Sequence, residues 1–228
     1  MIYVVFSIGQ FVNSNLDSLK EGFSSWFKEN SNPNTGESVW EWMRTSGQLK
    51  SLRLGQITTS DLHNAFNSEF DVNMDFKKFS TIFNSMCLVN QEMLDRIKNY
   101  KEYLDKTDGV QFILVSHTNY SHLNFILSQI SPILQNTITV MSKEKPWDID
   151  AKFVLVPSMV SQCEEHKDTL AFAMKELVIT ENDPIISFLN SIKGLDHEKF
   201  QYTDPGQDHE QVTEAIDKAH SLHLSIRY

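Results

Sequence analysis

Short runs of consecutive apolar residues punctuate the chain, and each is bounded by turn-forming positions. Tyr3 to Phe6, in MIYVVFSIGQFV, is β-branched and aromatic and ends at Ser7. Val110 to Val115, in VQFILVSHTN, repeats that pattern and ends at Ser116. Thr137 to Met141, Lys152 to Val156 (KFVLV) and Leu177 to Thr180 are further strand candidates. Such unbroken runs suit strands buried on both faces, as in a parallel sheet.

Between the first two runs the period changes. Leu16, Leu19, Phe23, Trp26 and Phe27 fall at helical spacing, and ENSNPNTGES over 29–38 is a polar loop. Val39 to Met43 resumes a helix. In LGQITTSDLHNAF, Thr59 or Ser60 can cap a helix whose stripe is Leu62, Ala65 and Phe66. Asp75 to Met86 and Asn90 to Leu104 continue the series, so residues 15–95 read as nearly all helical. Later, Ser121 can cap a helix carrying Leu123, Phe125, Ile126 and Ile130, and Cys163 to Met174 reads as another. Asp183-Pro184 is expected to open a helix through Ile192, with Asp183 as cap. The stretch from about Glu210 to Leu222 predicts an amphipathic terminal helix.

This order predicts an α/β fold: a Rossmann-like parallel sheet core with an inserted α-helical cap domain. Residues 1–14 and 105–193 would form the core, 15–104 the cap, and 194–228 a C-terminal tail with one helix. Two strands end in serine, so Ser7 and Ser116 are expected at the carboxyl edge of the sheet, where open α/β folds place their chemistry.

Composition narrows the classes. Hydrophobic residues make up 40% and charged residues 22% of 228, as in an ordinary globular protein. The formal net charge of −10 argues against nucleic acid and against an anionic membrane surface as partner. Two cysteines, Cys87 and Cys163, form neither a disulfide framework nor a zinc pattern, which points to free thiols in a reducing compartment. No apolar stretch approaches the roughly 18 residues of a membrane span, and the first residues lack a basic n-region. The expected location is the cytoplasm.

The motifs in this order resemble the haloacid dehalogenase-like (HAD-like) superfamily, in particular its small bacterial sugar-phosphate phosphatases with a helical cap. VVFSIGQFV is similar to the family's first motif, FILVSHTNYSHL to its second, and LRLGQITTSDLHNAF and IFNSMCLVNQEMLDRIKNY to its cap segment and the approach to the second motif. The likeness covers about residues 1–130. It implies a magnesium-dependent phosphatase scaffold whose first-motif aspartate attacks phosphorus and ligates the metal.

At the positions that carry this chemistry, the chain departs from the family. The nucleophile position is Ser7 and the general-acid position is Gly9. For the paired acids of the fourth motif, KFVLVPSM offers Pro157 and Ser158. Magnesium demands hard oxygen ligands with charge compensation, so its ligands are expected to be lost. Lys145-Pro146 matches the wording of the family's third motif, yet only Trp147 to Ala151 separate it from the next strand, where the family has a helix. Either that helix is deleted or the dipeptide is a coincidence.

The remaining chemistry-bearing residues have bland readings beside sharp ones. A serine nucleophile at Ser7 would need a base, for which His117 is the obvious imidazole, and no Gly-x-Ser-x-Gly elbow is present. Asp148 and Asp150 could replace lost acids, or form a turn around Pro146. Cys163 with His166, and His220 with His223, have two-ligand spacing that is usually accidental. Trp40, Trp42 and Met43 suggest a cap core rather than a sugar platform. The expected function is a catalytically degenerate, pseudo-phosphatase-like protein with a binding or interaction role. A small phosphorylated or anionic ligand would sit at Ser7, Ser116, His117 and Lys145, and a protein partner is compatible with that role. The alternative is an active phosphate-ester hydrolase with relocated groups.

Overall fold

The computed structural model describes residues 1–10, 13–89, 91–143, 148–180, 182–189, 200–202 and 212–218. Lys145, His220 and His223 lie outside the described residues, as does most of the tail. The chain divides into two compact units. One comprises residues 1–11, 91–117 and 130–228, the other 12–90 and 118–129.

The first unit is built on a six-stranded sheet, β1 (Ile2–Ser7), β4 (Val110–Ser116), β5 (Ile138–Val140), β6 (Phe153–Pro157), β7 (Ile185–Ser187) and β8 (Phe200–Tyr202), in the order β5-β6-β4-β1-β7-β8. Every neighbouring pair is parallel. β1 runs down the middle, pairing with β4 from Ile2↔Val110 to Ser7↔Val115 and with β7 from Tyr3↔Ile185 to Val5↔Ser187. A strand bonded on both edges and covered on both faces must be apolar at successive positions, which is why IYVVF has no polar residue.

The two faces have separate cores. On one, Tyr3, Val5, Ile113, Val115, Val154 and Val156 pack with Val160, Leu170, Ala173 and Leu177, which come from α8 (Ser158–Ser161), α9 (His166–Glu176) and the residue after it. On the other, Phe6 lies 5.3 Å from Phe112, 5.6 Å from Tyr100 and 4.7 Å from Phe188, ring centroid to centroid. Tyr100, Ile97 and Leu104 are the buried residues of α6 (Gln91–Lys106). That packing places α6 with the sheet unit, although the sequence reading ended the cap at residue 104. Gln111 is buried in β4, and its amide donates to the carbonyls of Ile149 and Ala151 at 2.8 Å each. At the far end of the chain, the helix over 212–218 (α10) buries Val212 and Ile216, and Tyr103 donates to Asp217 at 2.8 Å.

The second unit contains α1 (Leu16–Glu29), α2 (Gly36–Thr45), α3 (Gln48–Arg53), α4 (Thr59–Glu69), α5 (Phe76–Asn84) and the first turns of α7 (Tyr120–Leu134), with a two-stranded ribbon of β2 (Asn13–Ser14) and β3 (Cys87–Leu88). Its core is aromatic: Phe23, Phe27, Phe66, Phe79 and Phe83 are fully buried beside Leu19, Val39, Met43 and Leu62. Trp42 packs against that core, edge-on to Phe70 at 5.7 Å. Asn15, Thr35, Thr58 and Asp75 cap the helices they precede, each accepting the backbone N–H three residues on. The α4 cap is Thr58 rather than the expected Thr59 or Ser60, because Asp61 then completes a capping box by accepting from Thr58 N at 2.8 Å.

Two expected elements are replaced. Leu177 to Thr180 is not a strand, because Val178 takes a left-handed backbone (φ 55°) and is 74% exposed. Asp183-Pro184 opens a strand rather than a helix: Tyr3 N donates to Pro184 O at 2.9 Å, and Ile185 to Ser187 complete the far edge of β1. The pairing demand of the central strand overrides the local helix-start signal.

Gly36 is held by close approach. Its N–H donates to Ser24 Oγ at 2.8 Å, and a Cβ built there would lie 1.9 Å from Lys20 O, a backbone atom of α1. Gly36→Ala must push α1 and α2 apart and is expected to destabilise the helical unit by about 3 kcal/mol, read as a lower urea midpoint with the slope unchanged. A midpoint equal to the parent's would show that the two helices tolerate separation.

Candidate functional site

The central strand and its two neighbours end in hydroxyls. Ser7 closes β1, Ser116 closes β4 and Ser187 closes β7. The chain leaves β1 for strands on one side and later returns to the other, so this edge is the switch point at which open α/β sheets bind ligands.

Register sorts the three serines. Ser7 is opposite Val115, and Ser187 is opposite Val5. Side chains alternate along a strand, so Ser7 and Ser187 leave on the side of Val5 and Val115, whereas Ser116 leaves on the other. Ser7 is half-buried; Ser116 and Ser187 are fully buried. Ser7 Oγ accepts from Gly9 N at 3.2 Å, and Ser187 Oγ accepts from Leu189 N at 3.1 Å. Each hydroxyl turns back on its own chain two residues on, the local bond that serine favours at a strand end. Gly9 is exposed, with Ser7 Oγ 3.4 Å from where its Cβ would stand.

His117 follows Ser116 and falls on the same side as Ser7. Its ring stacks on His166, the first residue of α9, with centroids 3.8 Å apart and planes 9° from parallel. Burial, with the neighbouring His117 adding to it, pushes the His166 imidazole down to about 4, so His166 is neutral at pH 7. Sequence spacing paired His166 with Cys163; the fold pairs it with His117, and the Cys163 thiol donates to Ser161 O at 3.3 Å.

The other expected site residues stand away from Ser7. β6 pairs with β4 and not with β1, so Pro157 and Ser158 are two strands over, about 10 Å at the usual strand spacing, and Ser158 is buried at the start of α8. The strand that does flank β1, β7, continues as Ser187, Phe188 and Leu189, with no acid. Assigning the fourth-motif position to KFVLVPSM from its apolar run alone therefore missed the neighbour of β1. Asp148 and Asp150 are exposed and flank Ile149, whose carbonyl accepts from Gln111 near the start of β4, the opposite end of that strand from Ser116. Asp148 accepts from Asp150 N at 3.0 Å, which makes them a turn. Among the described residues no group of three or more His, Cys, Asp and Glu is placed to hold a metal ion. Hydroxyl and apolar side chains at the ends of β1, β4 and β7 do not fit magnesium, which needs carboxylate oxygens.

Past the second motif, Asn119 and His122 build a buried brace that sequence spacing did not reveal. Asn119 Oδ1 accepts from His122 N at 3.1 Å, its amide lies 3.0 Å from His122 Nδ1, and His122 Nε2 lies 3.0 Å from Phe83 O. That network assigns the proton to Nε2, which donates to the carbonyl, and leaves Nδ1 as acceptor. The Phe83 ring stacks on the imidazole at 4.2 Å.

No protein-family model and no curated protein matches this sequence. Solved structures do. A HAD family enzyme from Bacteroides thetaiotaomicron, in complex with magnesium and inorganic phosphate, superposes with a TM-score of 0.66 at 14% identity, over 93% of this chain and 98% of that one. A variant of that enzyme with one aspartate replaced by alanine, likewise in complex with magnesium and inorganic phosphate, superposes with a TM-score of 0.65, at the same identity and coverage. A predicted HAD-like family hydrolase from Porphyromonas gingivalis gives 0.63 at 12% identity, over 95% and 98%. The parallel sheet and helical insertion are thus those of the HAD-like fold.

The buried imidazoles set an acid limit. Burial drives His122 down to about 4, and hydrogen bonding to Phe83 opposes that shift only in part. Since the folded value is below the unfolded one, near 6.5, the unfolded chain binds the proton first. The stabilisation is complete above pH 6.5 and is lost as pH falls toward 4, amounting to about 3 kcal/mol for His122, with His166 acting in the same direction. Melting temperature should fall between pH 7 and pH 5, and His122→Gln should flatten that slope. Equal slopes for parent and variant would refute this origin.

Proposed function

We propose that this chain is a catalytically degenerate protein of the HAD-like fold, serving as a binding or interaction module rather than a phosphatase. The observation that carries the reading is the chemistry of two strand ends: Ser7 on β1 and Ser187 on the flanking β7 offer hydroxyls where a phospho-aspartyl mechanism needs carboxylates. A neutral hydroxyl that accepts from Gly9 N–H is not a charged nucleophile and brings no negative charge to a magnesium ion. The one imidazole within reach along the chain, His117, is stacked on His166, so a serine–histidine route would require unstacking before the ring could take a proton from Ser7.

The ligand we propose is a small phosphorylated or anionic molecule at the mouth beside Ser7 and His117, with Lys145 supplying a positive charge. Among the described residues no carboxylate stands at the ends of β1, β4 and β7, so an anion there meets no fixed negative charge from them, and a hydroxyl can donate to it. Support comes from the Bacteroides enzyme, whose aspartate-to-alanine variant is described with magnesium and inorganic phosphate: with the metal present, that scaffold holds the anion without one of its acids. Because Ser116 is fully buried on the opposite side of the pleat, its part is to close the strand end.

Two measurements test the proposal together. With magnesium present, p-nitrophenyl phosphate and a panel of sugar phosphates should be hydrolysed no faster than in buffer. Inorganic phosphate or a phosphate ester should raise the melting temperature, and Lys145→Ala should remove that rise. Hydrolysis above background that Ser7→Ala abolishes would establish the alternative, an active hydrolase with relocated groups. Absence of any phosphate-dependent shift would discard the anion pocket.

A further inference from the structure

An open groove of about 650 Å³ lies wholly within the helical unit, between the start of α4, one face of α5 and the first turns of α7. Its size is within the roughly 300–1,000 Å³ of small-molecule sites. None of Ser7, Gly9, Ser116 or His117 lines it.

Its lining has a distinctive chemistry. No Asp, Glu, Lys, Arg or His contributes. The walls carry Thr59, Ser60, Ser80, Asn84, Ser121 and Asn124 in hydroxyl and amide groups, and Leu52, Ile57 and Phe125 in apolar ones. Two aromatic rings, Phe76 and Tyr120, line it as well, and they are 44% and 57% exposed. Large apolar side chains exposed to this degree are few among the described residues, and two of them share one groove. Part of the polar wall is already fixed: Ser121 Oγ donates to Asn84 Oδ1 at 2.9 Å, and Asn84 Nδ2 donates to Ser80 Oγ at 3.3 Å. The nearby Asp61 carboxylate is turned away into its capping box with Thr58.

The class of ligand follows by elimination. A charged molecule would find no counter-charge here, and the chain's net charge of −10 repels an anion at long range. A wholly apolar molecule would strip water from hydroxyls and amides without replacing their hydrogen bonds, at about 1–3 kcal/mol for each group left unpaired. A neutral molecule with hydroxyls on its edge and an apolar C–H face satisfies both parts, its hydroxyls pairing with the Ser, Thr and Asn groups and its face lying on an exposed ring. We infer that this groove binds a neutral, unphosphorylated saccharide, independently of the anion mouth at Ser7.

The experiment titrates the full chain with glucose, N-acetylglucosamine, maltose and cellobiose, observed by saturation-transfer NMR and calorimetry, with inorganic phosphate as comparator. At least one neutral sugar should bind with a Kd below about 10 mM, an interaction near −3 kcal/mol. Tyr120→Ala and Asn124→Ala alter exposed side chains and should each weaken the sugar about tenfold while leaving the melting temperature and any phosphate binding unchanged. The inference falls if none of the four sugars binds in that range. It falls equally if sugar affinity is unaffected by both substitutions, or if sugar and phosphate weaken together in them.

Discussion

The fold depends on β1 being bonded on both edges and apolar on both faces. β4 and β7 take up its hydrogen-bonding groups on either side, and two chemically different cores cover it, one aliphatic and one ringed by Phe6, Phe112 and Tyr100. Such a strand can meet solvent only at its ends, so whatever stands at its carboxyl end decides what the sheet can do. A carboxylate there needs a cation to offset desolvation and to orient it. A serine needs only a backbone N–H, and Gly9 supplies one. The same holds at β7, where Ser187 is bonded to Leu189 N in a fully buried setting. Both hydroxyls thus find a donor in their own backbone.

Much of this was legible in the residues. The unbroken runs at 3–6, 110–115 and 152–156 marked buried strands because burial on both faces leaves no room for alternation. The helical block was legible from its stripe of Phe and Leu at helical spacing. What could not be read was anything set by pairing at a distance. Ile185 to Ser187 follows Asp-Pro, a strong local helix opener, yet becomes a strand because β1 has a vacant edge. KFVLV is a strand as expected, but its neighbours are β4 and β5, and strand order is not written in a run of apolar residues. Val178, at positive φ, shows a third failure: a β-branched residue in a left-handed turn is unexpected on steric grounds, so no local rule would have broken that run.

The site was legible as a departure but not as a geometry. That Ser7 and Gly9 occupy positions where the resemblance implies acids follows from one short motif, VVFSIGQFV. That Ser7 and Ser116 leave their strands on opposite sides follows from a register offset of one residue, Ser7 standing against Val115, which spacing along the chain does not encode. The His117–His166 stack and the Asn119–His122 brace likewise join residues whose roles are fixed by tertiary contact. Among the described residues no helix is long and apolar enough to cross a membrane, in line with the absence of any long apolar run.

Placing a carboxylate at Ser7 brings out how many further groups a phospho-aspartyl site would need. An aspartate there would inherit the Gly9 N–H but stand beside Leu189, in line with Ser187 on β7 and Val115 on β4. None of these can share a divalent cation with it. An isolated charge at a half-buried strand end responds by raising its pKa and binding a proton, not by attacking phosphorus. Nucleophile, metal and flanking acids are therefore an all-or-none set in electrostatic terms. A scaffold lacking the flanking acids is better served by a neutral residue at the end of β1, and a serine, small and able to bond its own backbone, meets that requirement.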